Sequence, residues 1–462
     1  MKRGKLESRF DTNFYKYDAI HILLEIRKSK YTVVPVIDLL ENLTDGTHHT
    51  PTYTENGVKF LSVVNVTENS IDFNNTKYIS EESHKELIKR CNPQGKDILL
   101  TKVGSIGRAA VVPLDAPPFS IFVSVALLRP NCNRVIPDYL CAYLNTRLAR
   151  EQFDRHLKGI GVPDLHLENI AQTQVLLPNK TIQTHLANLY KDAWIRCKKR
   201  INQADSLLKS LNQYILEALN ITIPQYSNDN LDIFAVKRKM IGKRFDPHAN
   251  HPKFQTAFRE LHEKCNTIPL GKLAECIFSG ITPKAGGDAY TQNDTGIVFI
   301  KSGSLSYDGT IDIDFTSRIK EDVHNGIMKS SKLRKNDVLI AIVGATIGKV
   351  GLYEEDMEAN INQAIAAVRL RTDKLLPQFL ICYLLSDIGQ IYLEYLQRPV
   401  ARANINLQEI AEIEVPLPEL SIQRDIVKEM ESRRNKARHL RRQAEKEWME
   451  AKRQFEKELL GE

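Results

Sequence analysis

The stretch Pro178-Asn-Lys-Thr181-Ile182-Gln183 begins a long amphipathic segment that extends to about Leu219. Its apolar side chains recur every three or four positions, which is the spacing of one helix face. They are Ile182, Leu186, Leu189, Ala193, Cys197, Ile201, Ala204, Leu208, Leu211 and Ile215. No glycine or proline interrupts the run, which would span roughly 55 Å at ~1.5 Å per residue. The spacing predicts one helix over residues 181–219, longer than a typical globular domain needs.

A second segment of the same kind begins at Pro418-Glu-Leu-Ser421-Ile422-Gln423 and runs to Leu460. Each long segment follows a block with short strand-like runs, such as residues 58–64 and 97–101 in the first block. Two matched helices, each behind a folded block, indicate a duplicated unit.

Sequence anchors recur at a fixed distance of 240 positions. They are Asp97 and Asp337, Pro137 and Pro377, Leu167 and Leu407, and Pro178 and Pro418. The tripeptide Arg9-Phe10-Asp11 also returns as Arg244-Phe245-Asp246, at a slightly shorter distance of 235 positions (244 − 9). Between these anchors the loops diverge. Because solenoid repeats are far shorter, the pattern predicts a tandem duplication of a whole domain with its helix.

The predicted fold class is α/β (α+β), with two tandem β-rich domains and two long, antiparallel, coiled-coil-like helices related by a pseudo-two-fold duplication. The expected segments are a first domain at 1–180, a first long helix at 181–220, a connector at 221–243, a second domain at 244–420 and a second long helix at 421–462. The connector contains the polar, turn-rich run 224–230.

Composition limits the class of protein. The 462 residues suffice for two or three domains, and the net charge of +7 is compatible with a polyanion partner without demonstrating one. No apolar run approaches the ~20 residues that span a bilayer, and no signal-peptide core follows the N-terminus. The seven cysteines include no CxxC pair, which favours reduced thiols. We therefore expect a cytoplasmic protein.

Motifs of catalysis are missing from the sequence. The glycine turns at 103–108 and 343–349 fit neither GxxxxGK[ST] nor GxGxxG. His48-His49 and the pair His248 and His251 lack zinc-ligand spacing. We expect no catalytic residue, no metal site and no cofactor in this chain, which favours a recognition or scaffolding component.

The repeated motifs together resemble the DNA specificity (S) subunits of type I restriction–modification systems. They are the Arg-Phe-Asp start, the Gly-x-(x)-Ile-Gly turn at 104–107 and 344–348, the Pro-x-aromatic-Leu…Tyr-Leu helix at 137–144 and 377–384, and the Leu-Pro-x-x-Ser/Thr-Ile-Gln start of the long helix at 177–183 and 417–423. The resemblance covers nearly the whole chain, and the order of the motifs is more specific than any one of them.

This resemblance implies two target-recognition domains that bind double-stranded DNA and no enzymatic activity in the chain itself. It implies as partners two methyltransferase (M) subunits, which bind S-adenosylmethionine, and restriction (R) motor subunits, which use ATP and magnesium. Apolar helix residues such as Trp194, Trp448 and Phe455 are expected to form an exposed surface that docks the M subunits.

A two-fold duplicated chain suits DNA, whose own two-fold axes let two domains face opposite strands in the same way. Two domains roughly 50 Å apart would lie about 15 base pairs apart along the duplex. We therefore expect a split recognition site with an unread spacer. Because the loops of the two domains differ, the half-sites should differ too.

Candidate DNA contacts lie on the divergent, polar, glycine-containing loops, where basic side chains can bind phosphate or guanine. In the first half they are Asp45, Thr47, His48, His49, Lys102, Ser105 and Arg108. In the second half they are Thr282, Lys284, Lys301, Ser302, Thr346, Lys349, Arg398 and Arg402.

Two alternatives remain open at this point. One is the specificity subunit of a related modification system without a motor. The other is a coiled-coil adaptor protein that binds proteins through two β-rich domains and has no dependence on duplex sequence.

Overall fold

The computed structural model describes residues 17–157, 163–223, 234–236, 244–284, 287–292, 295–314, 316–371, 373–398 and 403–461. The chain forms two compact units. The first unit comprises Met1–Ile201 and Arg441–Glu462, and the second comprises Asn202–Leu440. The predicted Arg9-Phe10-Asp11 start lies outside the described residues.

The first unit contains short helices and short strands. Its helices are α1 (Tyr17–Lys28), α2 (Glu81–Leu87), α3 (Pro137–Leu144), α4 (Arg147–His156) and α5 (Leu167–Ala171), followed by the long α6 (Lys180–Ala218), whose residues from Asn202 onward belong to the second unit. Its strands are β1 (Thr32–Pro35), β2 (Leu40–Asp45), β3 (Tyr53–Thr54), β4 (Val58–Leu61), β5 (Val66–Thr67), β6 (Ser70–Ile71), β7 (Lys77–Ile79), β8 (Ile98–Thr101), β9 (Ala109–Val111), β10 (Phe119–Ile121), β11 (Val125–Pro130) and β12 (Gln174–Leu177).

The second unit has the same kinds of element. Its helices are α7 (Pro252–Lys264), α8 (Leu270–Leu273), α9 (Glu321–Asn325), α10 (Pro377–Leu385), α11 (Asp387–Leu396) and α12 (Leu407–Ala411), followed by the long α13 (Leu420–Leu460), whose residues from Arg441 onward belong to the first unit. Its strands are β13 (Thr267–Pro269), β14 (Ala274–Ser279), β15 (Tyr290–Thr291), β16 (Ile297–Ile300), β17 (Ser317–Ile319), β18 (Val338–Ala341), β19 (Val350–Leu352), β20 (Ala359–Ile361), β21 (Ile365–Leu370) and β22 (Glu414–Pro416).

Sheet topology repeats between the units. In the first unit the sheets have the orders β2-β11-β8-β9, β10-β4-β7-β3 and β1-β12. In the second unit the orders are β14-β21-β18-β19, β20-β16-β17-β15 and β13-β22. The pairs β10–β4 and β16–β20 are parallel, whereas the other pairs in these sheets are antiparallel. The matching orders confirm the predicted duplicated α+β fold.

The sequence anchors hold equivalent contacts in the two units. The carboxylate of Asp97 pairs with Arg129 at 2.8 Å, and that of Asp337 pairs with Arg369 at 2.7 Å. Both aspartates are almost fully buried, so an unpaired charge there would be costly. The recurrence of this aspartate at the 240-residue offset thus reflects the same buried ion pair in both units.

The long helices run antiparallel to each other within the first unit. The ring centroids of Trp194 and Trp448 lie 5.2 Å apart, and those of Tyr190 and Phe455 lie 5.6 Å apart. Residues earlier in α6 therefore contact residues later in α13, as expected for antiparallel helices. The expectation that Trp448 and Phe455 form an exposed docking surface is wrong, since they are only 8% and 0% exposed and belong to the first unit's core. Trp194 is partly buried against the same core.

Within the described ranges no single helix is long and apolar enough to cross a bilayer, and only the bent pair α10–α11, with 77° between its members, meets the length and composition criteria together.

Candidate nucleic-acid interface

Several strand ends meet at one place in the first unit. After β2, the N–H of Thr47 donates to the carbonyl of Ile121 at 3.1 Å. After β8, the N–H of Lys102 donates to the carbonyl of Ser124 at 2.9 Å, and the carbonyl of Lys102 accepts from Leu165 N–H at 2.8 Å. We call residues 45–49, 62–65, 101–108, 122–124 and 163–165 the first strand-end cluster. The fold therefore brings the predicted residues of the first half together.

A buried charge network lies inside the first strand-end cluster. Asp45 is 3% exposed, and its carboxylate lies 2.7 Å from Arg90 Nη2, 3.2 Å from His48 Nε2 and 3.5 Å from Lys102 Nζ. Lys102, itself 5% exposed, also lies 3.6 Å from an Asp164 carboxylate oxygen. Asp45 and Lys102 therefore hold the loops together from within, rather than presenting their charges at the surface.

The remaining predicted side chains of this cluster reach solvent. His48, His49, Ser105 and Arg108 are exposed. Thr47 is half-buried, and its hydroxyl donates to the carbonyl of His49 at 3.0 Å. These imidazole, hydroxyl and guanidinium groups have the donors and acceptors that read base edges or bind phosphates.

Equivalent strand ends meet in the second unit. The N–H of Asn362 donates to the carbonyl of Ile300 at 3.1 Å. The N–H of Ile342 donates to Ala364 at 2.9 Å, and its carbonyl accepts from Ile405 N–H at 3.0 Å. We call residues 279–284, 301–304, 342–349, 362–364 and 403–405 the second strand-end cluster.

Two glycines permit the close approach in these clusters. A Cβ atom on Gly46 would lie 1.9 Å from the carbonyl oxygen of Ile121, and one on Gly280 would lie 1.7 Å from that of Ile361. Any side chain at these positions would push the neighbouring strand away. The sequence places both glycines among polar loop residues, but their role appears only from the strand packing.

Predicted residues of the second unit occupy varied environments. Thr282, Lys284 and Arg398 are exposed, and Arg398 pairs with Glu409 at 3.0 Å. Lys301 Nζ donates to Ser317 Oγ at 2.8 Å, and Thr346 Oγ1 donates to Val343 O at 2.9 Å. Ser302 is half-buried at the start of a short 3-10 turn, and Lys349 Nζ lies 5.7 Å from the ring centroid of Tyr307. Arg402 lies outside the described residues.

Other side chains at the clusters were not predicted. Arg90 belongs to the Asp45 network, Val64 is 78% exposed within the turn after β4, and Tyr307 is 59% exposed beside Lys349. No motif marks them, because each reaches its cluster through folding from a distant segment. Burial, aided by Asp45, raises the pKa of the adjacent Cys91 thiol to about 12, which keeps this sulfur neutral.

Comparison with known proteins gives consistent matches. Residues 263–446 match the family model of the type I restriction modification DNA specificity domain. The specificity subunit of the type I restriction enzyme EcoBI from Escherichia coli is 35% identical over 136 residues, or 29% of this chain. That alignment spans only 28% of the Escherichia coli subunit's length.

Two further matches cover most of the chain. The putative type I restriction enzyme MjaX specificity subunit from Methanocaldococcus jannaschii is 22% identical over 86% of this chain and 84% of its own length. A chain from a solved structure concerning complex assembly and conformational transition of the type I R-M system superposes with a TM-score of 0.51, at 17% identity, over 93% of this chain and 96% of that one. At that identity the structural likeness supports the fold alone. Together, these matches show that residues 263–446 carry a type I restriction modification DNA specificity domain and that the chain as a whole is similar to type I restriction enzyme specificity subunits.

Proposed function

We propose that this protein is the non-catalytic DNA-recognition subunit of a type I restriction–modification complex. Each strand-end cluster reads one half of a split, asymmetric site in double-stranded DNA. The observation that carries the proposal is the pair of clusters, which share a backbone arrangement but differ in side chains. Position and sequence preference are separable in DNA binding because phosphate contacts position a protein and base contacts specify its site.

The same proposal assigns chemistry to partner subunits. Two M subunits supply S-adenosylmethionine-dependent adenine methylation, and R subunits supply ATP- and magnesium-dependent restriction. The protein itself contributes only recognition, since its sequence has no cofactor-binding or catalytic motif. Purified chain incubated with S-adenosylmethionine and duplex DNA should therefore transfer no methyl group until M subunits are added.

A domain exchange tests the assignment of the readers. In the complex with M subunits, residues 265–420 are replaced by the matching segment of another family member, and methylated adenines are mapped by sequencing. We expect one half-site of the methylated motif to change while the other half-site and the spacer stay the same. A change in both half-sites would contradict the assignment.

A helix insertion tests the spacer separately. Four extra residues within 200–210 of α6 add about 6 Å along the helix, nearly two base-pair steps. We expect a longer preferred spacer between unchanged half-sites, whereas altered half-site sequences would contradict this role.

The alternatives give different outcomes in these experiments. A system without a motor would show the same methylated motif but no restriction of unmethylated DNA. An adaptor protein would bind its partners with no dependence on duplex sequence, and neither variant would change a methylation pattern.

A further inference from the structure

A basic cleft lies in the first unit beside the first strand-end cluster. Its volume is about 510 Å³, and it lies between the turn at Gly107–Arg108, the α3–α4 junction at residues 145–150 and residues 449–456 of α13. Its lining includes five cationic side chains and two carboxylates, namely Arg108, Arg147, Arg150, Lys452, Arg453, Glu68 and Glu456. We propose that this cleft binds a phosphate group.

Only part of this positive charge is neutralised locally. Lys452 Nζ lies 2.5 Å from Glu68 Oε1, and Arg147 Nε lies 3.6 Å from Glu456 Oε2. Arg150 pairs with a residue outside the lining, Asp154, at 3.6 Å.

The two outer arginines of the cleft differ from these three cations. Arg108 and Arg453 are exposed, and neither forms an ion pair with a carboxylate in the part of the chain that the structure describes. Burial also raises the pKa of Glu456, although Arg147 opposes this shift. Two guanidinium groups therefore remain available to an anion.

The second unit builds the same corner with fewer cations. Arg147 N–H donates to Glu456 Oε1 at 2.7 Å, and at the equivalent place Asp387 N–H donates to Asn212 Oδ1 at 2.6 Å. The side chain that reaches the glycine turn is Arg150 in the first unit and Gln390 in the second.

The five matched positions can be compared directly along these contacts. Where the first unit has Arg108, Arg147, Arg150, Lys452 and Arg453, the second has Lys349, Asp387, Gln390, Leu208 and Lys209. The scaffold thus forms with only two of the five cations, Lys349 and Lys209, so the full set of five positive charges in the first unit is not a requirement of the fold. Like charges in one concavity repel one another, and a bound anion relieves that repulsion.

Phosphate matches the available groups best. Guanidinium groups form paired, charge-assisted hydrogen bonds with phosphate oxygens. Arg108 also belongs to the first strand-end cluster, so a backbone phosphate of the DNA beside the first half-site is one source of the ligand. This source rests on the proposed function. A free nucleotide phosphate is the other source and does not depend on it.

The test uses the double variant Arg108→Ala/Arg453→Ala in the complex with M subunits. Affinity for duplex DNA carrying the methylated motif is measured at several salt concentrations. If the ligand is a backbone phosphate, we expect affinity to fall about tenfold per arginine. The slope of log affinity against log salt concentration, called the salt slope, should become shallower by about one per lost contact. In the single variant Arg453→Ala, whose residue lies outside the first strand-end cluster, the methylated motif should stay unchanged, since phosphates carry no base identity.

A second arm measures ATP and inorganic phosphate binding to the purified full chain by calorimetry. Loss of that binding in the double variant, with unchanged DNA affinity, would identify a free phosphate ligand. Lys446→Ala is the matched control, because Lys446 is an exposed cation of α13 outside the cleft lining. Arg108→Lys/Arg453→Lys should retain much of the binding.

The proposal is overturned if the double variant matches the unaltered protein in both arms. Both arginines are exposed, so the fold should persist, and an unchanged melting temperature verifies this. Should the double variant unfold, the single Arg453→Gln variant gives the same comparison. Absence of sequence-specific DNA binding in the unaltered complex would refute the proposed function, while the calorimetric arm would still decide whether the cleft binds phosphate.

Discussion

At the position where the first strand-end cluster buries the ammonium group of Lys102, the second buries the hydrocarbon side chain of Ile342. The two residues make matching backbone hydrogen bonds, since both N–H groups donate to the loop before the adjacent strand. Asp45 lies opposite Ala126 on β11, and Ser279 lies opposite Ala366 on β21. One unit therefore fixes its loops with a buried ionic network, and the other uses apolar packing at the same place.

This difference distinguishes contacts that both units share, and that the common scaffold requires, from contacts found in only one unit. The paired Asp97–Arg129 and Asp337–Arg369 contacts are common to both units, so they are expected to serve stability. The Asp45–Lys102 network occurs in one unit only, and it is expected to serve the shape of one recognition surface.

Removal of the shared ion pairs should have the largest effect. Asp97→Ala and Asp337→Ala each leave a partly buried arginine without its carboxylate. Each also removes the acceptor of a backbone N–H, that of Gln94 at 2.8 Å in the first unit and that of Arg334 at 2.7 Å in the second. We expect the free energy of unfolding to fall by about 3–5 kcal/mol in each case. The second unit should lose more, because its arginine side chain is 14% exposed against 27% in the first. Chemical denaturation measures the free energy of unfolding of both variants. If either variant were as stable as the control Lys89→Ala, which changes an exposed residue, the prediction would be contradicted.

The next effect concerns the network that only the first unit has. Lys102→Ile leaves Asp45 buried with Arg90 and His48 as its remaining partners, and we expect a loss of about 2 kcal/mol. Adding Asp45→Ser reproduces the second unit's pair and should restore most of the loss, because an apolar replacement of a whole buried pair is often tolerated. A double-mutant cycle measures this coupling. Additive losses would show that the two side chains do not act together.

The same variants also test whether Lys102 shapes the recognition loops or contacts DNA itself. A lysine that binds a phosphate changes the salt slope of DNA binding by about one when removed. Because Lys102 is buried, we expect Lys102→Ile to weaken preference for the first half-site while leaving that slope unchanged. If the salt slope instead became shallower by about one, the ammonium group of Lys102 would be assigned to a direct contact with a DNA phosphate.

A smaller and equal effect in both units is expected at the start of the long helices. The side-chain oxygen of Gln183 accepts the N–H of Ile136 at 2.9 Å, and that of Gln423 accepts the N–H of Leu376 at 3.0 Å. Replacement by alanine leaves each N–H without its partner, at a cost of about 1–2 kcal/mol. Thermal unfolding of Gln183→Ala and Gln423→Ala measures this loss of stability. If the two losses differed by more than the experimental error, the starts of the two long helices would not be equivalent.

The smallest expected effect depends on pH. Burial lowers the pKa of His84, whose Nδ1 lies 2.9 Å from Ser120 Oγ. A histidine with a lowered pKa in the folded state contributes stability that is present above its ordinary value of about 6.5 and is lost as the pH falls through the folded value. His84→Gln should therefore flatten the decline in stability below pH 6.5, and NMR titration of the imidazole gives the folded pKa directly. A folded pKa above 6.5 would contradict the sign.

Much of the fold was predictable because it rests on local periodicity. Uninterrupted apolar spacing predicted a helix at 181–219, and the structure has α6 at Lys180–Ala218. The strand expected at 58–64 ends at Leu61, because the side chain of Asn65 accepts the N–H of Ser62 at 3.0 Å and closes a turn. Such a turn depends on a single side-chain hydrogen bond, which periodicity does not reveal.

The candidate site was less predictable because its contacts cross long distances in sequence. The loops carrying His48 and Arg108 were found from their polarity and glycine content. The burial of Lys102 depends on Asp45 and Asp164, each more than fifty positions away. Likewise, the apolar spacing of α13 predicted Trp448 as part of a helix face but not the aromatic core that covers it. The sequence pattern predicts which face of a helix or strand is apolar, whereas the residues that cover that face are known only from the tertiary fold.

The discontinuous first unit has a consequence for synthesis on the ribosome. Its core includes Ala444, Trp448, Ala451, Phe455 and Leu459, which lie more than two hundred residues after Cys197, the last of its other buried members. The second unit needs only residues 202–440 and is complete while those side chains are still to be made. The part of the chain translated first is therefore the part whose core closes last, and its exposed apolar surface depends on nascent-chain protection until translation has passed residue 459.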